Sequence, residues 1–158
     1  MISYVTGDIF VSQPKKRTLK AWTPFGDCVI ILFEFQNSDI DEEDSGWRLN
    51  WVAGIALLRT IGHVLAKCDA ETSEEHAKVI NAAWDRWKRD APENSIFWNF
   101  IETERNSLLK TYTFGATLAP ADAGFSVVYS NGEDAFQLYR EAVYWWRHQL
   151  NSIENALP

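Results

Sequence analysis

The chain has only two cysteines in 158 residues, Cys28 and Cys68. They are far apart, in neither a C-x-x-C pair nor a zinc-ribbon spacing, which excludes a disulfide scaffold and a structural zinc site and predicts two reduced, buried thiols. Histidine is nearly as scarce, and neither His76 nor His148 has a partner at ligand spacing, so no metal is expected. There is no glycine-rich phosphate loop and no Ser-His-Asp arrangement with a local signature, so no cofactor is expected either. Long hydrophobic runs are missing as well: Cys28 to Phe33 and Val52 to Leu58 fall far short of the roughly 20 residues that span a bilayer. Met1 to Asp8 lacks the basic region and apolar stretch of a signal peptide, and the expectation is a soluble, cytoplasmic protein with no membrane partner. Positive charge is also in deficit. A net charge of −7 opposes indiscriminate attraction to nucleic acid or anionic lipid, so any such contact needs a local patch.

The chain is rich in tryptophan, with eight, of which all but Trp22 fall in helical patterns. Core packing and an aromatic interface are the two readings, and both can hold. With no repeat, low-complexity tract or linker, residues 1–158 read as one domain, mainly all-α, with a small accessory β element.

The order of elements follows from periodicity. Residues 1 to 12 lean towards β, with a turn at Thr6-Gly7-Asp8, and a basic cluster follows at Lys15, Lys16, Arg17 and Lys20. Thr23-Pro24 reads as N-cap and first residue of a short helix to about Phe35, although the apolar run Cys28 to Phe33 also suits a strand. Residues 39 to 44 carry five carboxylates and lead into a helix from about Trp47 to Cys68, with Trp47, Trp51, Ile55, Leu58, Gly62 and Leu65 on one face. Ser73 caps a helix ending near Asp90, and the next starts near Asn94-Ser95 with Phe97, Ile101, Leu108 and Tyr112 as its stripe. Arg105 sits on that stripe and calls for a partner. Phe125 to Tyr129 reads as a strand able to pair with the N-terminal segment. The last helix, about Glu133 to Asn155, carries a 3,4 seam through Phe136, Tyr139, Val143, Trp146, Leu150 and Ile153, which suits packing within the chain or across a dimer.

Three constellations carry chemical content. On a helix Arg105 and Tyr112 lie almost over one another while Lys110 projects from a neighbouring face, offering a guanidinium for a phosphate, an ammonium for developing charge and an orienting phenol. The alternative is structural: Arg105 pairs with Glu102 or Glu104, and Tyr112 packs. Arg59 and His63 stand one turn apart and either bring an imidazole to a site shared with Arg105 or form a structural pair in the bundle. The acidic loop 39 to 44 is either a solvated lead-in or a mimic of a nucleic-acid backbone that blocks a basic partner.

Arg105, Asn106, Leu108 and Tyr112, late in a helix, resemble the motif of HEPN domains: Arg, a polar residue, three more residues, then His, often followed by one residue and Tyr. Lys110 occupies the histidine position. The resemblance implies an up-and-down helical bundle of the kind found in toxin–antitoxin pairs and other antiphage systems. It also implies a homodimer with a metal-independent ribonuclease site built across it, in which Arg105 and Lys110 face their copies. Lysine, with an ordinary pKa of about 10.4, is a poor general base near neutrality. The expectation is therefore an RNA- or partner-binding protein whose ribonuclease chemistry is absent or altered. Two alternatives stay open: a metal-independent ribonuclease using Arg105, Tyr112 and Lys110 or His63 with Asn106 and Arg59 in support, and a non-enzymatic acidic protein that blocks a basic surface.

Overall fold

The computed structural model describes residues 16–41 and 46–158. Their order is helix α1 (Trp22–Asn37), helix α2 (Gly46–Lys67), a 3-10 turn (Asp69–Glu71), helix α3 (Glu74–Arg89), a π-helical segment (Ile96–Glu102) running into helix α4 (Thr103–Thr111), strands β1 (Ala116–Ala121) and β2 (Gly124–Tyr129), and helix α5 (Ala135–Ala156). The protein is thus mainly α with a small two-stranded antiparallel sheet.

The ambiguous run Cys28 to Phe33 is helical. Phe25, Cys28, Val29, Leu32 and Phe35 form the buried face of α1, and Ile30 and Phe33 lie outside it. The helix starts at Trp22, one residue before the expected cap Thr23, because its first turn is capped from afar. The Asp69 carboxylate accepts from Lys20 N at 2.7 Å and from Ala21 N at 3.0 Å, so a negative charge from the 3-10 turn does the work of a local cap. Pro24 then falls in the first turn, where its missing N–H has no intrahelical partner to lose.

A second buried carboxylate fastens the same strand of chain. Glu154, on α5, accepts from Thr18 N (2.6 Å), Thr18 Oγ1 (2.9 Å), Leu19 N (2.9 Å) and the Trp22 indole (2.9 Å).

Helix α2 is the element on which most of the others pack, touching α1, α3, α4 and α5. With its 3-10 extension it is long and apolar enough to cross a membrane by length and composition, but 39% of the relevant window is buried inside the protein. The expected face of Trp47, Trp51, Ile55, Leu58, Gly62 and Leu65 is the buried one. Gly54 lies against Tyr139, whose ring carbon Cε2 would stand 2.7 Å from any Cβ added there. That close approach lets the Tyr139 hydroxyl donate to the Cys28 carbonyl at 3.0 Å, tying α5 to α1 across α2. Cys28 is buried as expected, whereas Cys68 is exposed at the end of α2.

Ser73 caps α3 as read, accepting from His76 N at 3.2 Å, and Asp134 caps α5 in the same way, accepting from Gln137 N at 2.8 Å. The α5 seam of Tyr139, Val143, Trp146, Leu150 and Ile153 is consumed within the chain. The sixth seam residue, Phe136, is half-buried and stacks on Phe35.

The sheet contains a strand, β1, that the sequence pattern did not predict. β2 pairs with β1, in the register Ala116↔Tyr129 to Ala121↔Gly124. The expected partner, residues 1 to 12, lies outside the described residues. Gly115, Pro120 and Gly124 read as breaks in sequence, but Pro120 fits a strand of a two-stranded ribbon, where one edge needs no donors, and Gly124 supplies the positive φ of the tight turn (97°).

Candidate functional site

The segment singled out in sequence, residues 104–112, forms α4 and its end, antiparallel to α2. Its first residue is the buried one. Glu104 is 1% exposed, and its carboxylate accepts from the Trp51 indole at 3.0 Å and from Gly115 N at 3.0 and 3.1 Å. Positions 104 and 105 stand three and four residues after Ile101, so both abut the apolar stripe, and the donors of Trp51 and Gly115 decide that the carboxylate goes inward. Burial raises the Glu104 pKa above its ordinary value, and the hydrogen bonds from Trp51, Gly115 and Ala116 oppose that rise. Its negative charge, after burial, also helps push the neighbouring Tyr129 phenol up to about 12. Glu104 therefore ties α4 to α2 and to the start of β1.

Arg105 is half-buried at the edge of the stripe, and its Nη1 donates to Asn106 Oδ1 at 2.9 Å. It has neither of the carboxylate partners weighed for it: Glu104 serves Trp51 and Gly115, and Glu102 pairs with Arg59 Nε at 2.5 Å. The Arg59 guanidinium lies over the rings of Phe97 (5.5 Å) and Trp84 (5.7 Å), and its Nη1 is buried without an acceptor. In this position Arg59 clamps α2 to the π-helical segment.

His63, one turn on from Arg59, is exposed. Loss of hydration, then the charges of Arg59 and Arg105, and more weakly Lys67, hold its imidazole below the usual value, against the opposing pull of Glu102. His63, Arg59, Arg105 and Asn106 thus belong to one neighbourhood on the α2–α4 seam. In a chain of net charge −7, that neighbourhood is locally positive.

Lys110 and Tyr112 are placed elsewhere. Lys110 is exposed in the last turn of α4. Tyr112 ends the helix in the left-handed conformation (φ 51°), the one non-glycine with positive φ among the described residues, while the amides of Tyr112 and Thr113 close the turn on Leu108 O and Ser107 O. Its ring is 57% exposed and meets Phe114 edge-on at 5.0 Å and the Arg48 guanidinium at 5.9 Å. Tyr112 therefore partners Arg48, at the start of α2, rather than Arg105. Leu49 and Leu109 are exposed beside these residues in the chain. Among the described residues no three His, Cys, Asp or Glu side chains gather as a metal site would require.

Sequence reasoning missed Glu104 as a structural centre, as well as Arg48 and Lys67. The signal for Glu104 was Trp51 on the inner face of α2, whose indole N–H needs a buried acceptor. Comparison with family models, with curated proteins and with solved structures finds no match to this chain.

Proposed function

We propose that this chain is a HEPN-like RNA-binding domain that contacts the phosphate backbone along the α2–α4 seam and whose ribonuclease chemistry is absent or altered. The observation that carries this reading is the positive field at His63, set up by Arg59, Arg105 and Lys67 against the single acid Glu102. Arg105 and Lys67 supply cations to phosphate oxygens, and the exposed Tyr112 ring at the far end of the seam offers a face on which a base can stack. Arg59 contributes its charge from behind, because its side chain is occupied with Glu102 and the aromatic rings.

Cleavage is the second reading, and one observation favours it. His63 is exposed, and its depressed pKa keeps it neutral near pH 7, the state a general base needs beside two guanidiniums. Lys110, at the position that the resemblance assigns to a histidine, cannot act so at its ordinary pKa.

The test is fluorescence anisotropy with a labelled single-stranded RNA across a salt series. The expected result is saturable binding that weakens as salt rises and is lost in Arg105→Ala and Lys67→Ala, with melting temperatures close to the parent's. An absence of binding at low salt sinks the proposal. The same samples, followed on a gel, separate binding from cleavage: cutting that depends on His63 makes the second reading the right one.

A further inference from the structure

A groove of 890 Å³ runs between α3 and α5, none of its lining residues belongs to the α2–α4 seam, and the RNA-binding proposal makes no use of it. Val79, Ala82, Ile153 and Ala156 give it an apolar floor, and its volume lies in the usual range for a small-molecule site. Two polar side chains face it from within the core, Asn94 and Gln149, and Asn94 both accepts from the Trp145 indole (3.0 Å) and donates to the Asp90 carbonyl (3.0 Å). Gln149 is only 8% exposed, and its Oε1 accepts from the buried Trp87 indole at 2.8 Å. That bond fixes which way round the amide sits. The oxygen is turned to Trp87, and Nε2, which donates to no described residue, is the end left for the groove.

A donor held in a fixed direction at the groove wall, with no acceptor from the protein, selects a ligand that brings one. Arg86 and His148, the chain neighbours of Trp87 and Gln149, also line the groove, and Arg86 forms no ion pair among the described residues. Acids limit the charge a ligand can carry. Glu75 stands towards the start of α3 with Lys78 one turn on, and Asp90 and Glu93 lie beyond its end, so the lining sets three acids against the cations Lys78 and Arg86, and a second negative charge on the ligand is disfavoured.

We infer that the α3–α5 groove binds an aliphatic monocarboxylate, its head on Gln149 Nε2 and Arg86 and its chain along Val79, Ala82, Ile153 and Ala156. Gln149 sets the orientation, and the floor supplies the affinity through burial of the chain.

Isothermal titration of the full chain with decanoate tests this, with decylammonium, of the same length and opposite charge, as the comparison. Decanoate is expected to bind at one site per chain and decylammonium about tenfold more weakly or not at all, since a charge-assisted hydrogen bond of about 1.5–3 kcal/mol corresponds to a factor of ten or more. Gln149→Glu keeps the acceptor for Trp87 but replaces the donor with a like charge, and decanoate binding should then fall by at least about tenfold. Ala82→Trp changes an exposed position of α3, leaves the core untouched and should block the groove to decanoate. Equal binding of the two probes, decanoate binding that survives Gln149→Glu in a folded variant, or binding that ignores Ala82→Trp would each overturn the assignment. So would an absence of any decanoate titration, whereas a failure of RNA binding would leave it standing.

Discussion

Replacing Glu104 with alanine removes the acceptor of one buried donor, the Trp51 indole, and of one part-buried donor, the Gly115 amide. Each donor left without a partner costs about 1–3 kcal/mol, so a loss of about 3 kcal/mol is expected. For a chain of this length about 2–4 °C accompanies each kcal/mol, which places the fall in melting temperature at about 6–12 °C. Arg105→Ala is the control: a half-buried residue bonded only to its neighbour Asn106 should cost within about 1 kcal/mol. Melting followed by circular dichroism compares the two. The reasoning fails if Glu104→Ala melts within a degree or two of the parent, or if Arg105→Ala is the more damaging.

A pH arm examines the charge itself. Burial raises the Glu104 pKa above 4.5, so the folded protein holds the proton more tightly than the unfolded chain does. The contribution of this group is then complete below the unfolded value and is lost as pH rises through the folded one. Glutamine keeps the shape but offers one acceptor oxygen where the carboxylate uses two, and it has no pH dependence. The melting gap between the parent and Glu104→Gln should therefore be wider near about pH 4 than near about pH 8. A gap that widens with rising pH would mean that the carboxylate is better satisfied as an anion than its burial implies.

Three further outcomes are expected. His63 should titrate by NMR below 6.5, and in Arg105→Ala its pKa should move up towards that value; an unchanged pKa would separate Arg105 from the His63 neighbourhood. Glu154→Ala should release the hydrogen bonds that hold Thr18, Leu19 and Trp22, so that trypsin cuts after Lys16, Arg17 or Lys20 faster than in the parent; unchanged digestion would show that the segment is held by other contacts. Light scattering should return twice 18.1 kDa, the homodimer that the HEPN resemblance implies; a monomer throughout the micromolar range would remove the composite site implied by the same resemblance.

The helices were legible wherever an apolar face repeated for several turns, as in α2 and α5, and where a side-chain cap stood next to the helix, as Ser73 does. The start of α1 was not legible, because its cap is Asp69, far along the chain. β1 was hidden by its composition: Ala116–Ala121 holds a proline and three alanines, and a strand held by one neighbour and a tight turn needs no alternating apolar pattern. At the candidate site, the pairing of Arg59 with His63 on one face was legible from helical spacing, but spacing within a helix could not bring them to Arg105 on another. Two partnerships were not legible either. Arg59 takes Glu102, and Tyr112 turns to Arg48, because the π-helical segment and the left-handed residue at position 112 alter the geometry that a uniform 3.6-residue repeat assumes.

Tryptophan content links these misses. Eight indoles can fill a small core, but each buried N–H needs an acceptor, so a tryptophan-rich core must also bury polar side chains. Four of the five buried polar residues follow it: Glu104 serves Trp51, Glu154 serves Trp22, Gln149 serves Trp87 and Asn94 serves Trp145, whereas the Trp84 and Trp146 indole nitrogens are buried with no acceptor among the described residues. What each acceptor does with its remaining valence separates structure from function. Glu104 and Glu154 spend theirs on backbone amides and so close the fold around α4 and the start of α1, and Asn94 returns its amide to the Asp90 carbonyl. Gln149 alone among the four has an amide nitrogen that donates to no described residue, and, like Asn94, it lines the α3–α5 groove. A core built to satisfy indoles has in that one place produced a fixed, unspent hydrogen-bond donor at the surface, the local feature from which a binding site is made.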